Sequence, residues 1–271
     1  MKSWRLLIEL VRPPFLIFTL WVLLAGFITT SGFSFSVIPQ MIAFTVLGHL
    51  AIFSLNDYFD RDSDQVNERK GSLEGAVVNG ENEGFVKYTA IISNLALIVL
   101  ALFLPNFSTI SGLIVLAASF LYSAPPFRLK EKPIVDSLSN VIILYFTFCV
   151  GVGLAGGTLG DVIPGAFWFA LIFGGTGHMA ASYVDREADA KAGMKTSGIV
   201  LGRKGIALLG EALIVLALVF QEWSTESQAI LVITLIFSFY PLFREENIKK
   251  VMYLWAVTCT VYIGYWLFIR L

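Results

Sequence analysis

Two short acidic motifs stand out in a chain that is otherwise strongly apolar. The first reads NDYFDRDSD at residues 56–64 and the second YVDREADA at residues 183–190, and both contain the pattern D-R-[DE]-x-D. A spacing of four residues places polar side chains on one face of a helix. The residues at this spacing are Asn56, Asp60 and Asp64 in the first motif and Asp185 and Asp189 in the second. Carboxylates held so close repel one another unless a cation compensates for their charge.

The ligand atoms of the motifs indicate which cation they suit. Oxygen donors with no His or Cys beside them favour a hard ion such as Mg²⁺, which binds a few carboxylates together with substrate phosphates. Two such motifs facing each other could hold two ions with a diphosphate between them. The cationic residues that follow the motifs, and that we expect to contact the diphosphate, are Arg69, Lys70, Lys191 and Lys195. The alternative is a solvated helix end, in which neighbouring arginines form salt bridges with the carboxylates.

The composition predicts the elements that must position these motifs. Of 271 residues, 56% are hydrophobic and only 14% are charged, which is typical of a polytopic membrane protein and not of a soluble domain. Apolar windows of about span length fall at 14–30, 37–57, 86–104, 108–123, 134–156, 162–184, 206–221, 228–243 and 250–269. The windows are continuously apolar rather than alternating, so we expect an all-α protein with nine transmembrane helices. Residues 1–271 form a single integral membrane domain in this prediction, with the bilayer and no nucleic acid as partner.

The distribution of Lys and Arg predicts the orientation. All of them except Arg270 fall in the N-terminus or in, or within two residues of, the connections after the second, fourth, sixth and eighth windows. By the positive-inside rule the N-terminus is cytoplasmic, and both motifs therefore face the cytoplasm of a cell-membrane protein. Cys149 and Cys259 lie inside apolar windows, which argues against a disulfide framework or a cysteine metal site.

A third polar segment reads LYSAPPFRLKEKPIVDSLSN at residues 121–140. Pro125 and Pro126 end the helix before it. The basic residues that follow are Arg128, Lys130 and Lys132. They form either an ordinary cytoplasmic loop or a lid over the diphosphate. Asp136 and Asn140 are a polar pair at helical spacing, which shapes an acceptor pocket or hydrogen-bonds a neighbouring helix.

Two histidines lie close to the motifs in sequence. His49 precedes Asn56 by seven residues and His178 precedes Asp185 by seven, so each would lie about two turns deeper on nearly the same helix face. Ionisable groups inside a membrane are functional by default, and a neutral imidazole can accept a proton. The alternative is a histidine that is hydrogen-bonded to a neighbouring helix.

The motifs resemble those of the UbiA-type intramembrane prenyltransferases. NDYFDRDSD matches the family pattern NDxxDxxxD, and YVDREADAKAGMKT matches its DxxxD-type second motif, at similar places after the second and sixth of nine spans. The resemblance covers nearly the whole chain. It implies a nine-helix bundle with a central cavity, where Mg²⁺ holds a polyprenyl diphosphate whose tail lies among apolar helices. The metal and diphosphate role then falls on Asn56, Asp60, Asp64, Asp185 and Asp189, with Asp57 in support.

Two further features follow from the same resemblance. It implies that Tyr122 contacts the diphosphate, while Arg128 and Lys130 are expected to contact it as part of the basic lid. Residues 67–77 read NERKGSLEGAV, where the family often continues with an Arg-Pro-rich stretch.

The SAPP-R-x-K segment looks like that of lycopene elongases and chlorophyll synthases, and its PIVDSLSN continuation favours a carotenoid acceptor such as lycopene. The alternatives are an aromatic quinone precursor, a chlorophyllide-like acceptor and an archaeal glycerolipid.

The resemblance implies a reaction in which the Mg²⁺-bound diphosphate leaves an isoprenyl donor and a lipophilic acceptor attacks the allylic carbocation. The catalytic carboxylates would be Asp60, Asp64, Asp185 and Asp189. Proton loss, with His49 or His178 as the possible acceptor, would complete the transfer, and exclusion of water would protect the cation.

A rival class is an ion-coupled transporter, which predicts charges near the bilayer midplane rather than at span ends. A metal-dependent lipid phosphatase would use the same site with water as acceptor.

Overall fold

The structure is a computed structural model that describes residues 2–32, 34–65, 70–73 and 75–238. Within these residues the regular elements are helices, accompanied by an isolated antiparallel bridge between Ser72 and Gly75. The all-α prediction is therefore confirmed for the described part of the chain. The predicted span at 250–269, the end of the span at 228–243, and Arg69 lie outside the described residues.

The described residues form eleven α-helices. The first half of the chain contains α1 Lys2–Val11, α2 Pro13–Thr30, α3 Ile38–Phe59, α4 Arg61–Asp64, α5 Glu83–Leu102 and α6 Asn106–Ser123. The second half contains α7 Val135–Leu154, α8 Pro164–Phe169, α9 Gly177–Lys191, α10 Ser197–Phe220 and α11 Thr225–Ser238. Short 3-10 helices lie at Phe35–Val37, Leu129–Glu131 and Leu159–Asp161, and a π-helical segment at Ala170–Thr176 joins α8 to α9.

Five helices of the described residues are long and apolar enough to cross a membrane. They are Pro13–Thr30, Phe35–Phe59, Glu83–Leu102, Asn106–Ser123 and Val135–Leu154, and they correspond to the first five predicted windows. The window at 162–184 falls on α8, the π-helical segment and α9, and the window at 206–221 falls on α10. The total of nine spans, the central cavity and the cytoplasmic N-terminus stay predictions.

Proline residues explain where several of these helices begin or end. Pro13 and Pro164 occupy the first turn of α2 and α8, where a missing N–H costs no hydrogen bond. The helix α6 ends at Ser123, because Ala124 precedes a proline pair and is extended, with ψ of 143°. The helix α1 was not predicted. Its ten residues are too short for a membrane span and carry charges on one face, and the fully buried Leu10 anchors it.

The chain divides into two compact units. The first contains residues up to 129 together with 146–162. In it, α3 packs most extensively on α5. Gly26 and Gly151 allow α2 and the end of α7 to touch through their backbones, because a Cβ at either position would overlap a carbonyl oxygen of the other helix. A second core of this unit joins Leu10 to Ala76, Val78 and Val86, so α1 lies against the segment that follows the first motif.

Among the described residues, the second unit contains 130–145 and 163–238. Here α9 packs on α10, and a Cβ at Gly198 would overlap the backbone at Ser182. Apolar contacts among Met179, Tyr183 and Ile206 continue this interface. The helix that carries the second motif is thus fixed to α10 by close backbone packing.

Candidate functional site

The first motif lies at the C-terminal end of α3, where the helix passes into the short helix α4. Helical hydrogen bonds continue through the junction, since Asp60 N–H donates to Asn56 O at 2.9 Å and Asp64 N–H to Asp60 O at 2.8 Å. The amide Nδ2 of Asn56 also donates to Asp60 Oδ2 at 2.8 Å. The structure therefore brings Asn56 and Asp60 together on one face, with Asp64 one turn further along.

Two cations from distant segments lie beside these carboxylates. The ammonium of Lys70 is 2.7 Å from Asp64 Oδ2, and its exposed fraction is only 9%. The guanidinium of Arg128 has one nitrogen 3.6 Å from Asp60 Oδ1 and another that donates to Phe59 O at 3.3 Å. Both residues were predicted as diphosphate contacts, and the structure places both of them at the first motif.

Burial shapes the electrostatics of the first motif. Asp60 and Asp64 are 8% and 6% exposed. Burial raises the pKa of the Asp64 carboxyl above its ordinary value, although the Lys70 ammonium acts in the opposite direction. A desolvated carboxylate of this kind is one that a divalent cation would stabilise in its charged form.

The donor chemistry of the first motif fits Mg²⁺. Its side chains offer amide and carboxylate oxygens, which are the ligands this ion prefers. Among the residues that the structure describes, no three His, Cys, Asp or Glu side chains form a ready-made metal cage. Mg²⁺ usually keeps several waters and takes only one or two carboxylates together with substrate phosphates, so an all-protein cage is not required.

Asp57 belongs to a different set of contacts from its neighbours in the motif. It is fully buried, and its Oδ1 accepts from Arg12 Nη2 at 2.5 Å and from Lys70 Nζ at 2.6 Å. Its Oδ2 accepts from the Ala76 N–H at 3.0 Å. Both oxygens are thus engaged by protein donors. The supporting metal role that the sequence suggested for Asp57 stays a prediction, and these contacts do not favour it.

The second motif lies on the last turns of α9 and is partly exposed. The Thr196 hydroxyl donates to Asp189 Oδ2 at 3.2 Å. The guanidinium carbon of Arg186 is 4.1 Å from the centroid of the Tyr183 ring, and its Nη1 donates to Tyr183 O at 3.0 Å. The predicted diphosphate contacts Lys191 and Lys195 are exposed. Asp185 and Asp189 share the helical register that their spacing predicted.

The two histidines form hydrogen bonds to other helices or their connections. His49 Nδ1 donates to Val11 O at 2.7 Å, and its Nε2 lies 2.9 Å from the Thr19 hydroxyl. His178 Nδ1 lies 3.0 Å from the Ser137 hydroxyl. These contacts favour the alternative of a histidine that joins neighbouring helices. The role of proton acceptor stays a prediction for both.

Polar contacts at the start of α7 show a further role for Asp136. It is fully buried, and its carboxylate accepts from the Ser197 N–H at 2.7 Å, from the Ser197 hydroxyl and from the Ser137 N–H at 2.6 Å. Asn140 Nδ2 donates to Asp136 O at 3.1 Å within its own helix. The contacts of Asp136 therefore favour hydrogen bonding to a neighbouring helix for that residue, while the acceptor pocket stays a prediction. Sequence reasoning did not identify Ser197.

The basic segment after the proline pair is not uniformly solvated. Lys130 is 6% exposed, Tyr122 is half-buried, and Arg128 has a positive φ of 39°. Arg12 has a positive φ of 51° as well. Non-glycine residues in this region carry strain of about 1–3 kcal/mol each and concentrate at functional sites. Both arginines contact aspartates of the first motif. Arg12 was missed, and its signal is a basic residue directly before the proline that starts α2.

A family model described as the UbiA prenyltransferase family matches residues 15–269. The chain is 30% identical over 185 residues to a lycopene elongase/hydratase of Corynebacterium glutamicum, covering 66% of this chain and 63% of the relative. It is 28% identical over 217 residues to a 4-hydroxybenzoate octaprenyltransferase of Polynucleobacter necessarius, covering 76% of this chain and 71% of the relative. The chain thus spans less than two thirds of the first of these relatives.

The fold is similar to that of a solved structure of a UbiA homolog from Archaeoglobus fulgidus bound to GPP and Mg²⁺. The TM-score is 0.72 at 18% identity, and the match covers 97% of this chain and 98% of that chain. At this identity the likeness concerns the fold.

Proposed function

The chain belongs to the UbiA prenyltransferase family, and from this premise we propose that it moves the prenyl group of an isoprenyl diphosphate to a lipophilic acceptor in a Mg²⁺-dependent reaction. The observation that carries the proposal is the first motif, where oxygen donors gather at a buried helix end with cations beside them. The long apolar helices make the chain an integral membrane protein. We propose that residues 1–271 act as one membrane-embedded domain.

The assigned roles follow the chemistry of each side chain. The proposed Mg²⁺ ligands are Asn56, Asp60, Asp64, Asp185 and Asp189. Bound Mg²⁺ would stabilise the negative charge that develops on the departing diphosphate. Lys70 and Arg128 add positive charge next to Asp64 and Asp60, where preorganised cations stabilise the same charge. The surrounding apolar helices exclude water, which protects an allylic carbocation from hydrolysis.

The acceptor is proposed from the relatives and from the sequence. A relative named lycopene elongase/hydratase and the PIVDSLSN segment favour a carotenoid, in which a carbon–carbon bond forms and a proton leaves. The relative named 4-hydroxybenzoate octaprenyltransferase, at a similar identity, supports an aromatic acceptor as the second candidate. Exclusion of water favours either over hydrolysis.

We propose that the N-terminus and both motifs face the cytoplasm. The Lys and Arg distribution supports this orientation. So does the first motif, because Arg12, Lys70 and Arg128 gather at the same end of α3. Single cysteines introduced at exposed Asp62 and exposed Leu159 should react with an impermeant thiol reagent from opposite sides of sealed vesicles.

A product assay tests the function. The purified protein is incubated in detergent with Mg²⁺, prenyl diphosphates of several lengths and a panel of lycopene, 4-hydroxybenzoate and glycerophosphate acceptors, and the products are identified by mass spectrometry. We expect a prenylated acceptor that disappears when EDTA is added. Free prenyl alcohol as the sole product would instead indicate a phosphatase. Ion flux in proteoliposomes without any prenylated product would indicate a transporter.

A further inference from the structure

The helix α3 carries a second row of side chains beside the proposed metal ligands. His49, Phe53 and Asp57 follow one another at intervals of four residues, so they share a face. His49 donates to the carbonyl of Val11 at 2.7 Å, and the ring centroid of Phe53 lies 4.2 Å from the guanidinium carbon of Arg12. Together with the Asp57–Arg12 bond, all three side chains hold the joint between α1 and α2.

The backbone at this joint needs such support. Arg12 has φ 51° and ψ 68°, a left-handed conformation that residues other than glycine rarely adopt. Pro13 follows directly and begins α2. The side chain of Arg12 is held between the Phe53 ring and the Asp57 carboxylate, and only 12% of it is exposed. The position of this guanidinium is therefore set by contacts with α3.

Asp57 also fixes the segment that follows the first motif. Its carboxylate accepts from Lys70 Nζ and from the Ala76 N–H. A Cβ at Gly75 would lie 2.9 Å from Lys70 Cδ and 3.0 Å from Arg12 Nη2, so the backbone closes directly over the two cations. The same Lys70 ammonium reaches Asp64. One buried carboxylate thus links the α1–α2 joint, the end of α3 and the segment around Lys70.

We propose that Asp57 is a positioning residue that acts through Arg12 and Lys70, and not a ligand of Mg²⁺. This inference rests on the proposed function. Asp57 holds Arg12 and Lys70, and Lys70 in turn lies beside Asp64 at the proposed diphosphate site, while the proposed metal ligands Asn56 and Asp60 lie on the neighbouring row of α3. Loss of the Asp57 charge should therefore weaken donor binding and loosen the surrounding backbone, with little effect on the affinity for Mg²⁺.

The test compares Asp57→Asn with Asp60→Asn, and uses Asp62→Asn as a matched control, since Asp62 is in the same motif and its side chain is 91% exposed. Each purified variant is assayed for the donor KM and for the Mg²⁺ concentration that gives half-maximal rate. Hydrogen–deuterium exchange is measured around Arg12 and Ala76. We expect Asp57→Asn to raise the donor KM by about tenfold, the effect of losing charged hydrogen bonds, and to raise exchange at both places.

The outcomes separate the two roles. An unchanged Mg²⁺ requirement in Asp57→Asn, with a higher one in Asp60→Asn, supports positioning. A shift of the Mg²⁺ requirement as large as that of Asp60→Asn, or unchanged exchange around Arg12 and Ala76, overturns it. If Asp57→Asn does not fold, Arg12→Gln carries the test with the same expected split. If the wild-type protein transfers no prenyl group, the proposed function fails, and the exchange comparison still decides whether Asp57 fixes these segments.

Discussion

The two acidic motifs are alike in sequence and differ in burial. At the first motif, Arg12, Lys70 and Arg128 come from three separate segments to lie beside buried carboxylates. At the second, the Thr196 hydroxyl donates to a partly exposed Asp189. The repeated spacing therefore sets the register of the carboxylates on their helices, while remote parts of the chain set the charge and the burial around them.

The helices that carry the motifs are also held differently. Buried charges fix the first unit around α3, since Asp57 contacts two cations. In the second unit, Asp136 accepts hydrogen bonds from Ser197 at the N-terminus of α10, which packs on α9. Equivalent substitutions in the two motifs should therefore lower the rate of prenyl transfer alike. Their effects on donor binding and on the stability of the fold should differ.

The largest effect is expected at the proposed metal ligands. Asp60→Ala and Asp185→Ala should each lower kcat/KM by about 10³-fold or more, because each removes a ligand needed to stabilise the leaving diphosphate. The measurement is steady-state prenyl transfer by folded protein, with Asp62→Asn as the control. A near-normal rate in either variant would show that its motif plays no part in the chemistry.

A second effect concerns the packing behind the motifs. Gly198→Ala should destabilise the protein by about 1–3 kcal/mol, since its Cβ would overlap the backbone of Ser182 on α9. Gly48→Ala on α3 is the matched control, because a Cβ there would lie 3.9 Å from Leu97 Cδ2, an ordinary contact. Thermal unfolding in detergent should show a lower midpoint only for Gly198→Ala. Equal midpoints would mean that α9 and α10 do not pack so closely.

The smallest predicted effect is a difference in donor KM between variants of Lys70 and Lys191, which each follow one of the acidic motifs in the sequence. Lys70→Met should raise the donor KM by about tenfold, because Lys70 is a nearly buried cation that contacts the first motif. Lys191→Met should change it by less than about twofold, since an exposed charge is well screened. Donor titrations at saturating acceptor give both values. An equal loss in the two variants would place Lys191 at the diphosphate and remove the asymmetry between the motifs.

Much of this arrangement could be predicted from the sequence because it depends on local patterns. Continuous apolar windows predicted the first five apolar helices of span length, and helical periodicity predicted that Asn56 lies beside Asp60. The helix α1 was missed because ten residues with charges do not fill a span-length window. The π-helical segment was missed because its residues, ALIFGGT, read as ordinary apolar helix.

The remaining contacts depend on residues that are remote in sequence. Arg12 bonds to Asp57 across 45 residues, and Ser197 bonds to Asp136 across 61. No periodicity connects such pairs, since their meeting depends on how whole helices pack. For the same reason the sequence could not distinguish Asp57 from its neighbours in the motif.

We propose above all that the carboxylates of both motifs bind the Mg²⁺ that holds the donor diphosphate. This proposal is tested most directly by calorimetric titration of inorganic pyrophosphate into wild-type protein, Asp60→Asn and Asp185→Asn, each with and without Mg²⁺. We predict binding by the wild type only when Mg²⁺ is present, and loss of that binding in both variants. Binding without Mg²⁺, or unchanged binding in either variant, would contradict the claim.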